Sequence, residues 1–338
     1  MAHKISILNW KGGVGKTTFS HHIGTGLQEI NWNGKRLPRI LLIDLDPQCN
    51  LSISCLGDDV FEDLVHKNNQ PTMKSLLNEF SMNDNPNINL DNFILQDSVR
   101  KNFCRNNSLT TYKNIDLILS HQDLIYTDMH IASFNRPGFH PRLFTHGINQ
   151  DINQNIYKFK FLYNFINMIE DLYDYIVIDC PPNLNFITQN ALYASDYYLI
   201  PTILDKLSTY GILSITEKIK ELNSTFSSSG NNNYVDTKLA GIVANKVATR
   251  NGVPIASQHN FYKRLEKTFG DILFKNFLTS GEGIAEASAR GLPVYAISGN
   301  TALKQSQSFK DVIHELQQHI DNVLLQELTE ELLQDMNF

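Results

Sequence analysis

The chain contains 338 residues, of which 42% are hydrophobic and 19% are charged, and its formal net charge is −6. These values allow a sizeable hydrophobic core and exclude a globally basic nucleic-acid-binding protein. No apolar run approaches the length of a membrane span, and the first predicted strand begins too close to Met1 for a signal peptide. The four cysteines lack C-x-x-C spacing, so neither a zinc site nor a disulfide framework is indicated. We therefore expect a cytoplasmic protein without membrane association.

Apolar strand patterns alternate with helical patterns along the chain. Strands are predicted at 4–9, 39–44, 114–119, 175–179, 196–201, 239–244 and 271–274. Helices are predicted at 16–30, 121–133, 156–171, 206–222, 255–269, 281–289 and 302–335. This alternation predicts an α/β fold with a doubly wound, mostly parallel sheet flanked by helices. We expect a single domain over 1–338, with irregular excursions near 56–113 and 134–155 and an acidic C-terminal helix.

The segment from Trp10 to Thr18 reads W-K-G-G-V-G-K-T-T and lies between a predicted strand and a predicted helix. This order is typical of a phosphate-binding loop, whose backbone N–H groups and following helix N-terminus face the phosphates. In such a loop Lys16 reaches the β- and γ-phosphates and Thr17 binds magnesium. Trp10 occupies the position of the usual first glycine, and Lys11 is an additional lysine at the next position. We expect Lys11 to act in trans, because it is too close to its own loop to fold back easily onto the γ-phosphate. The predicted nucleotide-binding residues of the loop are Lys11, Gly12, Gly13, Val14, Gly15, Lys16, Thr17 and Thr18.

Two later apolar strands end in carboxylates. Asp44 and Asp46 follow the run R-I-L-L-I, and Asp179 ends the run Y-I-V-I. Unbroken apolar runs fit parallel strands that are buried on both faces, and ligands bind at the carboxyl ends of such strands. Because two carboxylates that end an apolar strand beside a phosphate site are costly without a cation, we expect Asp44 and Asp46 to have more than a structural role. Asp179 ends its own strand in the same way and can hold magnesium, directly or through water.

With these three segments together, the chain resembles the ParA/MinD group of deviant Walker A P-loop ATPases, and within it the ParA partition ATPases. The matching motifs are K-G-G-V-G-K-T-T at 11–18, D-L-D-P-Q-C-N at 44–50, Y-D-Y-I-V-I-D-C-P-P at 173–182, G-I-V-A-N at 241–245 and E-A-S-A-R-G-L-P-V at 286–294. The resemblance extends over most of residues 3 to 318.

The resemblance implies a role for each matching residue. Lys11 matches a lysine that crosses the interface of an ATP-sandwich homodimer to contact the partner's nucleotide, and Lys16 matches the phosphate-binding lysine. These two lysines and Asp46 are the predicted catalytic residues. Asp46 matches the acid that positions the attacking water, whereas Asp44 is expected to support the magnesium shell. Asn245 matches an asparagine that reads the adenine edge, which favours ATP over GTP. An ordinary strand-end turn residue remains the alternative for Asn245.

The charge distribution indicates a DNA-binding face within an acidic protein. Residues 206 to 275 hold ten Lys/Arg against five Asp/Glu, whereas residues 311 to 338 hold seven acids and no Lys or Arg. In ParA proteins the corresponding late region binds DNA without sequence preference. Solvated helix faces carrying ordinary lysines are the alternative. The predicted DNA-binding residues are Lys220, Lys246, Arg250, Lys263 and Arg264.

The resemblance implies a slow, magnesium-dependent ATPase that segregates plasmid or chromosomal DNA with a ParB-like partner and associates with the nucleoid. One alternative is a relative that positions a protein cargo such as a carboxysome or a chemoreceptor array. A MinD-like membrane cycle is disfavoured because the C-terminal helix has an acidic polar face. A nitrogenase-iron-protein-like reductase has only Cys104 in its favour. His21 and His22 are expected to have surface or packing roles.

Overall fold

The structure is a computed structural model, and it describes residues 2–30, 36–103, 109–133, 156–229 and 234–335. Its strands are β1 (His3–Ile7), β2 (Ile40–Asp44), β3 (Arg100–Phe103), β4 (Leu109–Thr111), β5 (Ile115–Ile118), β6 (Tyr175–Asp179), β7 (Tyr197–Ile203), β8 (Lys238–Asn245), β9 (Thr249–Arg250) and β10 (Val253–Pro254). Six of them form a parallel sheet in the order β5-β2-β6-β1-β7-β8. The pairs β3–β4 and β9–β10 are small antiparallel hairpins.

Helices connect and cover these strands. They are α1 (Lys16–Glu29), α2 (Asn50–Leu56), α3 (Asp58–Glu62), α4 (Met73–Met82), α5 (Leu124–Ser133), α6 (Phe161–Asn167), α7 (Phe186–Ala194), α8 (Lys206–Ser228), α9 (Ala256–Phe269), α10 (Glu282–Ala289) and α11 (Asn300–Asp335). The parallel sheet with flanking helices confirms the predicted α/β class.

The hydrophobic core is divided by the sheet into two layers. Along β2, Ile40 and Leu42 pack with α1 and α11 on one face, whereas Leu41 and Ile43 pack with α4, α6 and α7 on the other. All five residues of β2 and of β6 are buried. Burial on both faces explains why these strands read as continuous apolar runs rather than as alternating patterns.

Two predicted elements are wrong. The segment 271–274 is a 3-10 turn (Gly270–Ile272), followed at Leu273 by an isolated bridge to Ile242. The helix predicted over 156–171 is interrupted: α6 is flanked by 3-10 turns at Ile156–Phe159 and Glu170–Leu172. The amide oxygen of Asn190 accepts the N–H groups of Phe161 (2.9 Å) and Leu162 (3.3 Å), which starts a new helix at that point.

The predicted irregular excursion at 56–113 contains regular structure. Helix α4 buries Met73, Leu76, Leu77 and Phe80, an apolar stripe at helical spacing, against the core. Helix α3 and the β3–β4 hairpin lie in the same segment. Helix α7 was not predicted. The predicted excursion at 134–155 lies wholly outside the described residues. The predicted C-terminal helix is present as α11, whose first half is buried through Phe309, Val312, Ile313, Leu316 and Ile320.

Candidate nucleotide-binding site

The phosphate-binding loop joins β1 to α1 at the carboxyl edge of the sheet. Gly13 (φ 74°) and Gly15 (φ 99°) have left-handed backbone conformations that favour glycine. The carbonyl of Gly15 accepts the N–H of Phe19 at 2.9 Å, so the helical hydrogen bonds begin directly after the loop. The free N–H groups of the first turn of α1 therefore belong to the loop, as an anion site at a helix N-terminus requires.

Lys16 lies inside the loop. Only 7% of the residue is exposed, and its Nζ donates to the carbonyl of Lys11 at 3.4 Å. Burial lowers the pKa of Lys16, and the charges of Asp179 and Asp46 partly offset this shift. The buried ammonium is thus close to the strand-end carboxylates, where a phosphate would add further negative charge.

Asp44 and Asp179 are neighbours across the β2–β6 pair, and neither has any exposed surface. The hydroxyl of Thr17 donates to Asp179 Oδ2 at 2.7 Å, and the hydroxyl of Ser20 donates to Asp179 Oδ1 at 2.9 Å. The N–H and hydroxyl of Ser52 donate to Asp44 Oδ2 at 2.8 and 2.7 Å. Burial raises the pKa of both carboxyls well above the usual aspartate range, and the negative charge of Asp44 adds to the rise at Asp179.

Asp46 is more open than the pair below it, with 7% of the residue exposed. Its N–H donates to Asp44 Oδ1 at 3.1 Å, and its carboxylate accepts the N–H of Gln48 at 3.0 Å. The hydroxyl of Ser120, at the end of β5, donates to the Asp46 carbonyl at 2.6 Å. Burial raises the pKa of Asp46, whereas Lys16 lowers it. The hydrogen bond from Gln48 therefore holds the Asp46 carboxylate at the more open side of the site.

Several residues that hold this site were not predicted from the sequence. Ser20 follows Lys16 by one helical turn, and this spacing is the signal that could have identified it. The hydroxyl of Ser52 also accepts the N–H of Ser120 at 3.0 Å and so links Asp44 to β5. Asn9 accepts the N–H of Lys11 through Oδ1 (2.9 Å) and donates through Nδ2 to a β7 carbonyl (2.9 Å).

Lys11 is paired within its own chain. Its Nζ lies 2.5 Å from Asp205 Oδ2 and 3.3 Å from the hydroxyl of Ser208. Asp205 also accepts the N–H of Ser208 (2.8 Å) and so caps the start of α8. The side chains of Lys11 and Asp205 are 35% and 40% exposed, so the ion pair is a weak, solvent-screened contact.

The turn after β8 contacts the loop from below. The amide nitrogen of Asn245 donates to the carbonyl of Val14 at 2.7 Å, and its oxygen accepts the N–H of Lys246 at 2.8 Å. Lys246 Nζ donates to the carbonyl of Gly13 at 2.9 Å. Both residues therefore lie at the phosphate-binding loop, although the sequence predicted an adenine contact for the first and a DNA contact for the second.

The remaining predicted DNA-binding residues lie on α8, the β9–β10 hairpin and α9. Lys220 is exposed on α8, Arg250 is exposed in the β9–β10 hairpin, and this hairpin leads into α9, which packs against α8. On α9, Lys263 pairs with Glu266 at 2.6 Å, and the guanidinium of Arg264 lies over an aromatic ring of its own helix. Lys220 and Arg250 pair with no carboxylate among the described residues.

His22 is a packing residue that joins α1 to the motif at 286–294, and His21 is buried beside it. His22 Nδ1 bonds the carbonyl of Thr18 (2.8 Å), and its Nε2 accepts the N–H of Val294 (3.0 Å). The hydroxyl of Tyr295 donates to the carbonyl of His22 at 2.9 Å. Burial lowers the pKa of His22 from 6.5 to about 4, and burial also lowers the pKa of His21. The motif thus supports the back of the phosphate-binding helix.

The residues at the carboxyl edge fit ATP with magnesium. Asp44 and Asp179 are fully buried, have raised pKa values and lie beside the hydroxyl of Thr17. A hard cation bound to these oxygen atoms would offset the cost of burying the two carboxylates. The described residues contain no group of three or more His, Cys, Asp or Glu side chains able to hold a metal. At nucleotide sites magnesium takes part of its coordination from phosphate and water, and Thr17, Asp44 and Asp179 are the residues that would hold it here.

No helix in the described part of the chain is long and apolar enough to cross a membrane. Cys49, Cys55 and Cys180 are buried and free. Cys104, the residue behind the reductase alternative, lies outside the described residues.

Comparisons with known proteins show a family, a relative and two structures to which this chain is similar. The model of the AAA domain family AAA_31 matches residues 2–232. The sporulation initiation inhibitor protein Soj of Bacillus subtilis is 25% identical over 296 residues, which cover 87% of this chain and 90% of Soj.

Two solved structures share the fold. The ATP complex of a Cyanothece McdA variant has a TM-score of 0.68 at 16% identity and covers 95% of this chain and 96% of its own. A plasmid partition protein of Borrelia burgdorferi bound to AMPPNP has a TM-score of 0.63 at 18% identity and covers 94% of this chain and 99% of its own.

Proposed function

Because this chain belongs to the AAA domain family AAA_31 and to the ParA-type P-loop ATPases, we propose that it is an ATP-dependent dimerising switch that binds DNA without sequence preference. In this proposal it segregates plasmid or chromosomal DNA with a ParB-like partner that stimulates hydrolysis. The observation that carries the proposal is the meeting of the phosphate-binding loop with the carboxylates of β2 and β6, while Lys11 remains at the surface. In this proposal the protein is cytoplasmic and associates with the nucleoid.

The chain's own residues divide the hydrolytic work. Magnesium, when bound with ATP, would neutralise charge on the phosphoryl group that is transferred to water. Lys16 and the loop amides neutralise phosphate charge, and Thr17, Asp44 and Asp179 hold the cation. Asp46 orients the attacking water, for which its more open position is suited. Positioning and charge, rather than covalent chemistry, then account for a slow, magnesium-dependent ATPase.

The dimer part of the proposal rests on Lys11 and its surroundings. The lysine is held at the surface by Asp205, and the next turns of α8 expose Leu207 (76%) and Tyr210 (71%) to solvent. Large apolar side chains at this exposure fit a surface that a second copy covers. In the dimer, Lys11 exchanges its contact with Asp205 for the partner's nucleotide.

The DNA part rests on the exposed cations of α8, the β9–β10 hairpin and α9. Lys220, Arg250 and Arg264 lie on adjacent elements, and phosphate contacts from such residues are additive and salt-dependent. A protein cargo carried over the nucleoid uses the same switch, so the choice between DNA and protein cargo depends on the partner that stimulates hydrolysis.

The test is binding to a random-sequence DNA duplex at moderate salt with no nucleotide, with ADP and with ATP, in wild type and in Lys11→Ala. We expect binding only with ATP, loss of binding in the variant, and weakening by added salt. Analytical ultracentrifugation of Asp46→Ala with ATP should show dimers. ATP-independent DNA binding, or monomers under these conditions, would contradict the switch. Intact hydrolysis without DNA binding under any nucleotide would favour a relative that acts on protein.

A further inference from the structure

Two consecutive peptide groups of the phosphate-binding loop are held from outside by the turn after β8. The carbonyl of Gly13 accepts from Lys246 Nζ (2.9 Å), and the carbonyl of Val14 accepts from Asn245 Nδ2 (2.7 Å). Both donors come from adjacent residues, so one turn fixes two successive carbonyls of the loop. Neither contact belongs to the adenine-reading or DNA-binding roles that the sequence predicted.

The planarity of the peptide bond converts these contacts into a direction for the next N–H group. In a trans peptide the C=O and the following N–H point in opposite directions. When the Gly13 and Val14 carbonyls face the β8 turn, the N–H groups of Val14 and Gly15 face away from it. No hydrogen bond within the described residues uses either N–H, so neither has a protein partner that a phosphate would have to displace.

The turn itself is constrained to present these donors. Lys246 has a left-handed backbone (φ 54°), a conformation that a lysine adopts only when its surroundings require it. The following residue, Val247, is fixed by hydrogen bonds to the carbonyl of Leu278 (2.9 Å) and from the N–H of Ser280 (3.0 Å). The amide of Asn245 is also oriented, because its oxygen accepts the N–H of Lys246.

The loop is shaped to receive the turn. A Cβ at Gly15 would lie 2.3 Å from Asn245 Nδ2, so the approach of the amide requires glycine at this position. Asn245 is only 5% exposed, and an unpaired buried amide would be costly. The contact is therefore built into both partners.

We propose that Asn245 and Lys246 are positioning residues that preorganise the Val14 and Gly15 amides for the phosphates of the nucleotide. This inference rests on the proposed nucleotide-binding function and deepens it, because it assigns the two residues to the phosphates rather than to the base or to DNA. Amide dipoles fixed before binding lose no orientational freedom when the anion arrives.

The test separates the phosphate from the base by using inorganic tripolyphosphate with magnesium as a second ligand. Affinities for ATP, GTP and tripolyphosphate are measured by calorimetry for wild type, Asn245→Ala and Lys246→Met. We expect each variant to lose about tenfold in affinity for all three ligands, the size of one lost hydrogen bond to a strong donor or acceptor. Lys246→Arg, which keeps the donor, should restore most of the loss. Lys113→Met, an exposed lysine paired with Asp97 outside the loop, is the matched control.

A second measurement distinguishes positioning from direct attraction between the Lys246 charge and a phosphate. Hydrogen–deuterium exchange of the loop peptide is followed without ligand, where we expect faster exchange in both variants than in wild type and in Lys113→Met. Unchanged exchange in both variants would overturn the inference. So would an Asn245→Ala variant that loses ATP but binds tripolyphosphate normally, or a Lys246→Met variant that loses only DNA. A wild type that binds ATP but not tripolyphosphate contradicts the inference, whereas one that binds neither contradicts the proposed function itself.

Discussion

The nucleotide edge of the sheet and the basic face of α8 and α9 solve two binding problems in opposite ways. At the edge, Asp44 and Asp179 are fully buried and each accepts hydrogen bonds from fixed neighbours. On the face, Lys220 and Arg250 are exposed and have no carboxylate partner among the described residues. The fixed groups of the nucleotide edge select a ligand of a particular shape, whereas the exposed cations of the basic face attract any anionic ligand. We therefore expect substitutions at the edge to have large, local effects and substitutions on the face to have graded, salt-dependent effects.

The strongest test of the edge is Asp46→Ala. If this carboxylate orients water, ATP hydrolysis should fall by about two to three orders of magnitude, while ATP affinity stays within a few-fold of wild type. Steady-state phosphate release and ATP calorimetry measure the two quantities. Asp91→Ala, a removal of an exposed aspartate, serves as the control. Equal losses of binding and hydrolysis would assign Asp46 to ground-state binding instead.

The helix behind the loop should respond to pH rather than to nucleotide. The pKa of His22 is lowered from 6.5 to about 4 by burial, so the unfolded chain takes up a proton first as the pH falls. Stability should therefore be fully present above pH 6.5 and should decline between pH 6.5 and 4, by up to about 3 kcal/mol. His21, whose pKa is also lowered by burial, adds to the same slope.

Urea unfolding at pH 7.5 and pH 5 measures this decline, and His22→Phe is the comparison. Carboxyls with raised pKa values titrate over the same range with the opposite sign, and they cancel only in the difference between wild type and variant. We expect a shallower decline in His22→Phe, together with a loss of stability at both pH values from its missing bonds to Thr18 and Val294. Identical pH slopes would show that His22 does not set the acid sensitivity.

The sequence could place three carboxylates at this edge of the sheet because buried parallel strands are unbroken apolar runs whose ends are easily located. Asp44, Asp46 and Asp179 each follow such a run. Supporting residues such as Ser52 and Ser120 escaped prediction, since a buried serine has no distinguishing pattern until the fold brings it to a carboxylate. A sequence pattern shows where a residue lies along a strand, but it does not show which residues of other strands that residue contacts.

The same limit explains the errors elsewhere. The break before α6 is imposed by Asn190, which is far away in sequence, and no local pattern shows it. The region around α4 is rich in Asn and Asp at its ends, and this composition concealed a short amphipathic helix. Lys246 was assigned to the basic face by sequence proximity, although its side chain points to the loop. A role that depends on charge alone, such as DNA binding, could be predicted from the sequence only for a region and not for individual residues.

The basic face is tested by the double variant Lys220→Glu, Arg250→Glu. Losing two phosphate contacts should weaken ATP-dependent DNA binding by about tenfold or more at moderate salt and reduce the slope of log affinity against log salt by about 2. Fluorescence anisotropy over a salt series measures both quantities. The matched control is Lys67→Glu, Lys113→Glu, which reverses two exposed lysines outside this face. Equal losses of DNA affinity in both double variants would mean that overall charge, and not this face, determines DNA binding. A changed ATP affinity in Lys220→Glu, Arg250→Glu would mean that the face also affects nucleotide binding at the edge.

The smallest expected effect lies where the two regions meet, at Asp205, which caps α8 and holds Lys11. Asp205→Asn keeps an oxygen for the cap but removes the charge, so Lys11 is released with little loss of helix stability. Exposed ion pairs are worth less than about 1 kcal/mol, so ATP-dependent dimerisation should strengthen only about two- to fivefold. Sedimentation over a concentration series measures the dimer affinity, with Glu221→Gln, another exposed acid on α8, as control. Weaker dimerisation in Asp205→Asn would mean that Asp205 orients Lys11 for the partner instead of restraining it, and the two regions would then share a single interface.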